Sequence, residues 1–265
     1  MSVTGAPSSQ SVPLAGAAPV YVVLPTYNEA ANIARLVPEL LRLAADLHVI
    51  VVDDASPDGT GALADTFARD FPGRVFPVHH AAKMGLGTAY LAGFQLAGER
   101  GAGSVLTMDA DFSHHPSHIG AMLARLSAAD LVIGSRYAPG GAAVDSPYPR
   151  RLLSLSANFI SRVALGLRAR DVTAGFRVYR RELLAALPLG DIFSSGYSFL
   201  IETLYLIERG GWRVAEVPIQ FHDRTSGASK ISRREIAKAI YTVLRLAGRR
   251  LAQSSAANRA GSLVP

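Results

Sequence analysis

Val49-Ile50-Val51-Val52-Asp53-Asp54 and Val105-Leu106-Thr107-Met108-Asp109-Ala110-Asp111 follow one pattern, a short apolar run cut off by paired carboxylates. Runs that are apolar at every position, rather than at alternate ones, fit strands covered on both faces. Val20-Tyr21-Val22-Val23-Leu24 before Pro25 and Leu131-Val132-Ile133 before Gly134 repeat it. Helix-length stretches separate these runs, at about 29–45, 59–70, 86–99 and 116–127. The alternation predicts an α/β fold, a doubly wound and mainly parallel sheet flanked by helices. Ligands of such sheets bind beyond the carboxyl ends of the strands. The polar residues gather there: Thr26 to Glu29, Asp53-Asp54, Asp109 to Asp111, and Ser135-Arg136.

After about residue 145 the pattern changes. A helix-like stretch from Arg151 to Leu167 precedes Asp171-Val172-Thr173-Ala174-Gly175-Phe176 and a helix near 180–187. Then come a helix at about 197–209, a strand at Val214 to Val217 and a loop reaching Lys230. The final helix, about 231–251, places Ile236, Ile240, Val243, Leu244, Ala247 and Leu251 on one face and Arg or Lys over most of the rest. Such a helix fits an anionic membrane interface and equally a helix docked on the core with a solvated basic face. Residues 1–18 and 253–265 read as disordered tails around one domain, 19–252.

The chain has 265 residues, 49% of them hydrophobic and 18% charged, which excludes global disorder. The absence of cysteine rules out disulfide frameworks, thiolate zinc sites and a cysteine nucleophile. No apolar run approaches the roughly 18 residues that a membrane span needs. The net charge of +6 is unevenly distributed. Residues 1–135 carry 7 basic and 12 acidic groups, whereas 136–265 carry 20 and 9. The basic half holds no recognisable nucleic-acid motif, so nucleic acid is not an expected partner.

Asp109-Ala110-Asp111 leaves a buried strand with two carboxylates one residue apart, a pattern suited to a hard divalent cation and its phosphate ligands. Turn-forming aspartates give the same pattern. A carboxylate after the second strand, Asp53, is placed for a nucleoside, while Ser56 or Asp58 can cap the helix starting near Thr60. Lys83-Met84-Gly85-Leu86-Gly87 offers amides and a cation to a diphosphate, or is a simple loop; no Gly-Lys-Ser/Thr follows, so it is not a P-loop. His79, His80, His114, His115 and His118 lack zinc-ligand spacing, and His114 reads as a packing or hydrogen-bonding residue. Arg224 and Lys230 bracket a Gly/Ser loop able to fold over an anion.

Taken in order, Pro25-Thr26-Tyr27-Asn28-Glu29, Val52-Asp53-Asp54, Lys83 to Ala89, Met108 to Pro116 and Gly134-Ser135-Arg136-Tyr137 form a series. It continues through Ser156 to Phe159, Asp171 to Tyr179, Gly196 to Phe199, Glu216 to Ile219 and Asp223 to Lys230. Over about residues 20–240 this resembles the dolichol-phosphate (polyprenol-phosphate) mannose synthases, family 2 glycosyltransferases of GT-A fold, in the form without transmembrane segments. The resemblance implies GDP-mannose as donor, a polyprenyl phosphate as acceptor and Mg²⁺ or Mn²⁺ as cofactor. It implies guanosine contacts from Pro25, Tyr27, Glu29, Val51 and Asp53, with Lys83 and Ala110 in the same donor set. Asp109 and Asp111 would hold the metal, and Ser113 stands where some members place a further metal ligand. Asp111, Arg136, Arg224 and Lys230 would carry the chemistry, the three cations on phosphates, with Arg150 or Arg151 facing the acceptor. On this reading 19–137 is the donor and metal half and 138–252 the acceptor and membrane-facing half. The enzyme would sit peripherally at the cytoplasmic face of a membrane, on lipid directly or through an anchor subunit. The rival readings are a UDP-sugar enzyme of the same fold and a catalytically silent nucleotide-sugar-binding subunit.

Overall fold

The computed structural model describes residues 18–144, 148–222 and 233–261, with only the backbone described at 149, 150, 233 and 252–261. The first half runs β1 (Val20–Thr26), α1 (Ala30–Leu43), β2 (Leu47–Asp53), α2 (Thr60–Asp70), β3 (Val75–His79), α3 (Leu86–Glu99), β4 (Ser104–Thr107), α4 (Ile119–Arg125) and β5 (Leu131–Ser135). The second runs β6 (Ala142–Val144), α5 (Tyr148–Leu165), β7 (Arg177–Arg180), α6 (Arg181–Ala186), α7 (Ser198–Arg209), β8 (Val214–Pro218), β9 (Gln220–His222) and α8 (Arg233–Gly261).

Seven strands form one sheet in the order β3-β2-β1-β4-β7-β5-β8. Six share a direction, and β7 lies antiparallel between β4 and β5. The sheet therefore crosses the boundary expected at residue 137, because β7 and β8 complete it from the second half. Alternation sends β1 side chains to opposite cores. Val20, Val22 and Leu24 meet Ile33, Leu36 and Leu40 of α1, Phe67 of α2 and Met122 of α4. Tyr21 and Val23 face the layer holding Tyr90 and Phe94 of α3, Phe199 and Leu204 of α7, and Leu246 of α8.

Two strands of this sheet, β3 and β7, and both strands of the small β6–β9 sheet were absent from the sequence pattern. Pro77 interrupts β3, which is tolerable because β3 is an edge strand. β7 is four residues long with an arginine at each end, yet Arg177 is fully buried. Of the tail expected over 253–265, residues 253–261 continue α8 to Gly261, and 262–265 lie outside the described residues. Ala252, Ala256, Ala257 and Ala260, with no proline among them, suffice to propagate a helix already nucleated. Of the tail expected over 1–18, only Ala18 is among the described residues.

Candidate active site

The carboxyl ends of β1, β2 and β4 open onto a cleft of about 470 Å³. Seven of the residues that the family resemblance assigned to donor or metal line it: Pro25, Tyr27, Glu29, Lys83, Asp109, Ala110 and Asp111. Lys83 Nζ lies 3.7 Å from the centre of the Tyr27 ring. Glu29, which accepts from Asn32 Nδ2 at 2.7 Å, is held at the start of α1, where its own N–H donates to Thr60 Oγ1 at 3.0 Å. Asp58 accepts from Thr60 N and from Ala30 N, each at 3.0 Å, and so caps both α2 and α1. Burial opposes its ionisation, but these bonds prevail and hold its pKa below the ordinary carboxylate value.

Val51 and Asp53 do not line the cleft. Val51 is fully buried within β2. Asp53 lies under the turn, accepting from Thr26 Oγ1 at 3.3 Å and from Ser56 N at 3.1 Å, so it locks the ends of β1 and β2 together.

After β4 the chain turns sharply, with Phe112 at φ 62°. The Asp109 N–H donates to His114 Nδ1 at 3.1 Å, which makes Nε2 the protonated ring nitrogen. His114 is buried and stacked on Phe176 at 5.0 Å. Burial pulls its pKa below the ordinary histidine value, against the opposing charges of Asp109 and Asp111. Asp111 Oδ1 accepts from Ser113 N at 3.1 Å and Ser113 Oγ at 2.6 Å. Ser113, expected as a further metal ligand, is buried and off the cleft lining, and its hydroxyl supports Asp111. Gly175 leaves needed space behind Asp109, for a Cβ there would lie 3.1 Å from Tyr90 Oη and 3.7 Å from Asp109 Oδ1.

Arg136, expected on a phosphate, is paired within the protein. Its Nε and Nη2 donate to the two oxygens of fully buried Asp171 at 2.8 and 2.6 Å, and Nη2 reaches Thr173 Oγ1 at 3.0 Å. Burial alone would lower its pKa, but Asp171 outweighs that and raises it above the ordinary arginine value. This guanidinium is fixed in an ion pair and does not line the cleft. Arg224 and Lys230 lie outside the described residues, Arg150 is described only as backbone, and Arg151 is exposed on α5.

The Asp171–Gly175 segment joins α5 to the end of β4. Asn158 Oδ1 accepts from Val172 N at 2.7 Å, and Thr107 Oγ1 donates to Gly175 O at 2.7 Å. Arg177 donates to Val172 O at 2.9 Å and Ala174 O at 2.8 Å.

Asp54, expected at the strand ends, does line the cleft, whereas sequence reasoning missed Tyr197, Arg234 and Glu235 as cleft residues. Glu235 is the sole acid after Arg224. The Glu235 carboxylate accepts from Tyr197 N at 3.3 Å and from Lys238 Nζ at 2.8 Å, which ties the start of α8 to the start of α7.

Residues 21–187 match the model of glycosyl transferase family 2. The chain belongs to that family. Its relatives include a polyprenol monophosphomannose synthase of Mycolicibacterium smegmatis, 45% identical over 84% of this chain and 84% of the relative. An undecaprenyl-phosphate mannosyltransferase of Micrococcus luteus is 42% identical over 85% of this chain and 93% of the relative. Among solved structures, mannosyl-3-phosphoglycerate synthase from Rubrobacter xylanophilus superposes with a TM-score of 0.64 at 20% identity, covering 90% of this chain and 75% of that one. Glucosyl-3-phosphoglycerate synthase from Mycobacterium tuberculosis, solved with Mn²⁺, UDP and its product, gives 0.62 at 21%, covering 87% and 80%. The fold of this family 2 glycosyltransferase is thus GT-A.

One further surface of the glycosyltransferase stands out. Among the described residues no helix is long and apolar enough to cross a membrane. Helix α5 nevertheless exposes Leu152, Leu153, Phe159 (65%), Ile160 and Val163, while Asn158 and Ser161 face inward. Helix α8 docks through Val243 and Leu246 and exposes Ile240, Tyr241, Leu244 and Leu251. The two helices pack together, and Arg250 Nη1 donates to Ala164 O at 3.1 Å. The last helix thus keeps one stripe in the core and leaves another exposed.

Proposed function

We propose that the enzyme transfers mannose from GDP-mannose to a polyprenyl phosphate with inversion, giving a polyprenyl β-mannosyl phosphate. The observation that carries this reading is one cleft with Asp109 and Asp111 on its wall, Lys83 and Arg234 as cations, and the Tyr27 ring for a base. The names of the two relatives support mannose and a polyprenyl acceptor.

Asp109 and Asp111 supply hard oxygen donors suited to Mg²⁺ or Mn²⁺. Among the described residues no group of three His, Asp or Glu side chains forms a metal site, so diphosphate oxygens would complete the shell. When bound, such an ion neutralises charge on the departing diphosphate. The acceptor phosphate attacks the anomeric carbon in line, forming a carbon–oxygen bond as the bond to the diphosphate oxygen breaks. A phosphate monoester is already anionic at neutral pH, so no side chain needs to remove a proton. What the protein supplies is position and positive charge, from Lys83 and Arg234 and, by their place in the sequence motif, Arg224 and Lys230.

The outward faces of α5 and α8 would rest on the cytoplasmic surface of the membrane that holds the acceptor, with the Arg-rich flank of α8 meeting anionic headgroups. The decisive assay offers GDP-mannose, UDP-glucose and other sugar nucleotides against one polyprenyl phosphate, with and without Mg²⁺ or Mn²⁺. Metal-dependent mannosyl transfer is expected. Preference for a UDP-sugar would overturn the donor, and no transfer at all would favour a silent binding subunit.

A further inference from the structure

Residues 80–85 carry Lys83 across the cleft, and one buried carboxylate closes that loop at both ends. Asp54 is only 5% exposed. Its Oδ1 lies 2.7 Å from His80 Nδ1 and its Oδ2 accepts the Gly85 N–H at 2.8 Å. A carboxylate only accepts, so the His80 nitrogen is the donor. The His80 backbone N–H adds a bond to Asp53 O at 2.9 Å. Gly85 has φ +92° directly before α3, a backbone that side chains rarely adopt. The end of β2 thus grips the loop where it leaves β3 and again where it enters α3. Residues 81–84 between these grips are exposed. Among the described residues Lys83 meets the Tyr27 ring and no carboxylate, which keeps its ammonium available to an anion in the cleft.

We propose that Asp54 is a positioning residue: by closing residues 80–85 it sets Lys83 where the ammonium meets the diphosphate of the donor. This rests on reading the cleft as a nucleotide-diphosphate site. A loop released at either end would spread the lysine over several positions, and the attraction between two charges falls with their separation. The effect should therefore appear on the diphosphate and not on the nucleoside.

The test uses the full chain and calorimetric binding of GDP and of guanosine, with Mg²⁺ present throughout. Wild type, Asp54→Ala, Asp54→Asn, Lys83→Ala and the Asp54→Ala/Lys83→Ala pair are compared. Asp54→Ala should weaken GDP about tenfold and guanosine less than about twofold. Asp54→Asn keeps an acceptor for Gly85 N–H and should recover GDP binding to within about threefold. In the Lys83→Ala background the Asp54 substitution should cost nothing further, because its effect runs through that lysine. Should Asp54→Ala fail to fold, His80→Ala opens one end only and must show the same dependence on Lys83. Equal losses on GDP and guanosine, or additive losses in the double variant, would overturn the proposal. If Lys83→Ala weakens GDP and Asp54→Ala does not, the positioning role alone is wrong. If Lys83→Ala binds GDP like wild type, the diphosphate reading of the lysine falls as well.

Discussion

Helices α3 and α5 are both amphipathic, and they face opposite ways. Helix α3 buries Ala89, Tyr90, Phe94 and Ala97 against the sheet and leaves Gln95 and Glu99 outside. Helix α5 turns Asn158 and Ser161 inward and Phe159, Ile160 and Val163 outward. The difference lies in what each helix meets. Helix α3 lies on apolar strands, so burial of side chains supplies its stability. Helix α5 covers the backbone of Asp171 to Gly175, whose polar groups need hydrogen-bond partners such as Asn158. Among the described residues its apolar stripe stays uncovered, and α8, which packs against α5, exposes an apolar stripe of its own.

The contrast between a sealed donor wall and an open apolar face can be broken at several points. The largest effect is expected from Asp111→Ala. Transfer should fall by about a hundredfold to a thousandfold, the range seen when a key electrostatic group is removed, with the melting temperature unchanged. Retention of most activity would remove Asp111 from the site. Next is Asp171→Ala, which leaves the largely buried Arg136 guanidinium without its paired carboxylate and should cost about 3–5 kcal/mol of stability in denaturant melts. If stability held and only phosphate affinity fell, Arg136 would be a ligand residue after all.

A smaller change should follow from Phe159→Asp with Ile160→Asp. Sedimentation with anionic liposomes should drop about tenfold or more, while turnover on a short, water-soluble acceptor stays the same. Liposome binding unchanged by these substitutions would separate α5 from the membrane, and wild type that ignores liposomes would point to an anchoring protein. The smallest effect concerns Asp130, whose pKa the Arg213 hydrogen bonds hold below the ordinary carboxylate value despite burial. A lowered folded pKa gives stability that is present above the unfolded value, about 3.9, and is lost as pH falls through the folded one. The melting temperature of wild type should exceed that of Asp130→Asn by a constant margin above about pH 5, and the margin should close in stronger acid. A margin that persists at pH 2 would assign the bond no role in acid stability.

Much of this molecule could be read before its structure. The runs at Val20, Val49, Val105 and Leu131 announced buried parallel strands, because only a strand covered on both faces can be apolar at every position. The acids that stop two of those runs, and the residues from Pro25 to Glu29, marked the cleft for the same reason: strand ends are where such a sheet opens. β7 escaped because its four residues carry two arginines, and a buried arginine cannot be told from a solvated one until its partners are known. Arg136 is ambiguous in the converse way, since a guanidinium suits a phosphate and a carboxylate equally. Only the packed chain brings Asp171, 35 residues away, against it.

Sequence by itself determined five of the sheet's seven strands, the order of its helices and the acidic wall of the cleft, all of which follow from local periodicity and strand ends. Tertiary structure decided which charges remain free for a ligand and which stripe of a helix faces in. Those outcomes depend on partners distant in the chain, and side-chain burial and pairing are settled only when the chain has folded around them.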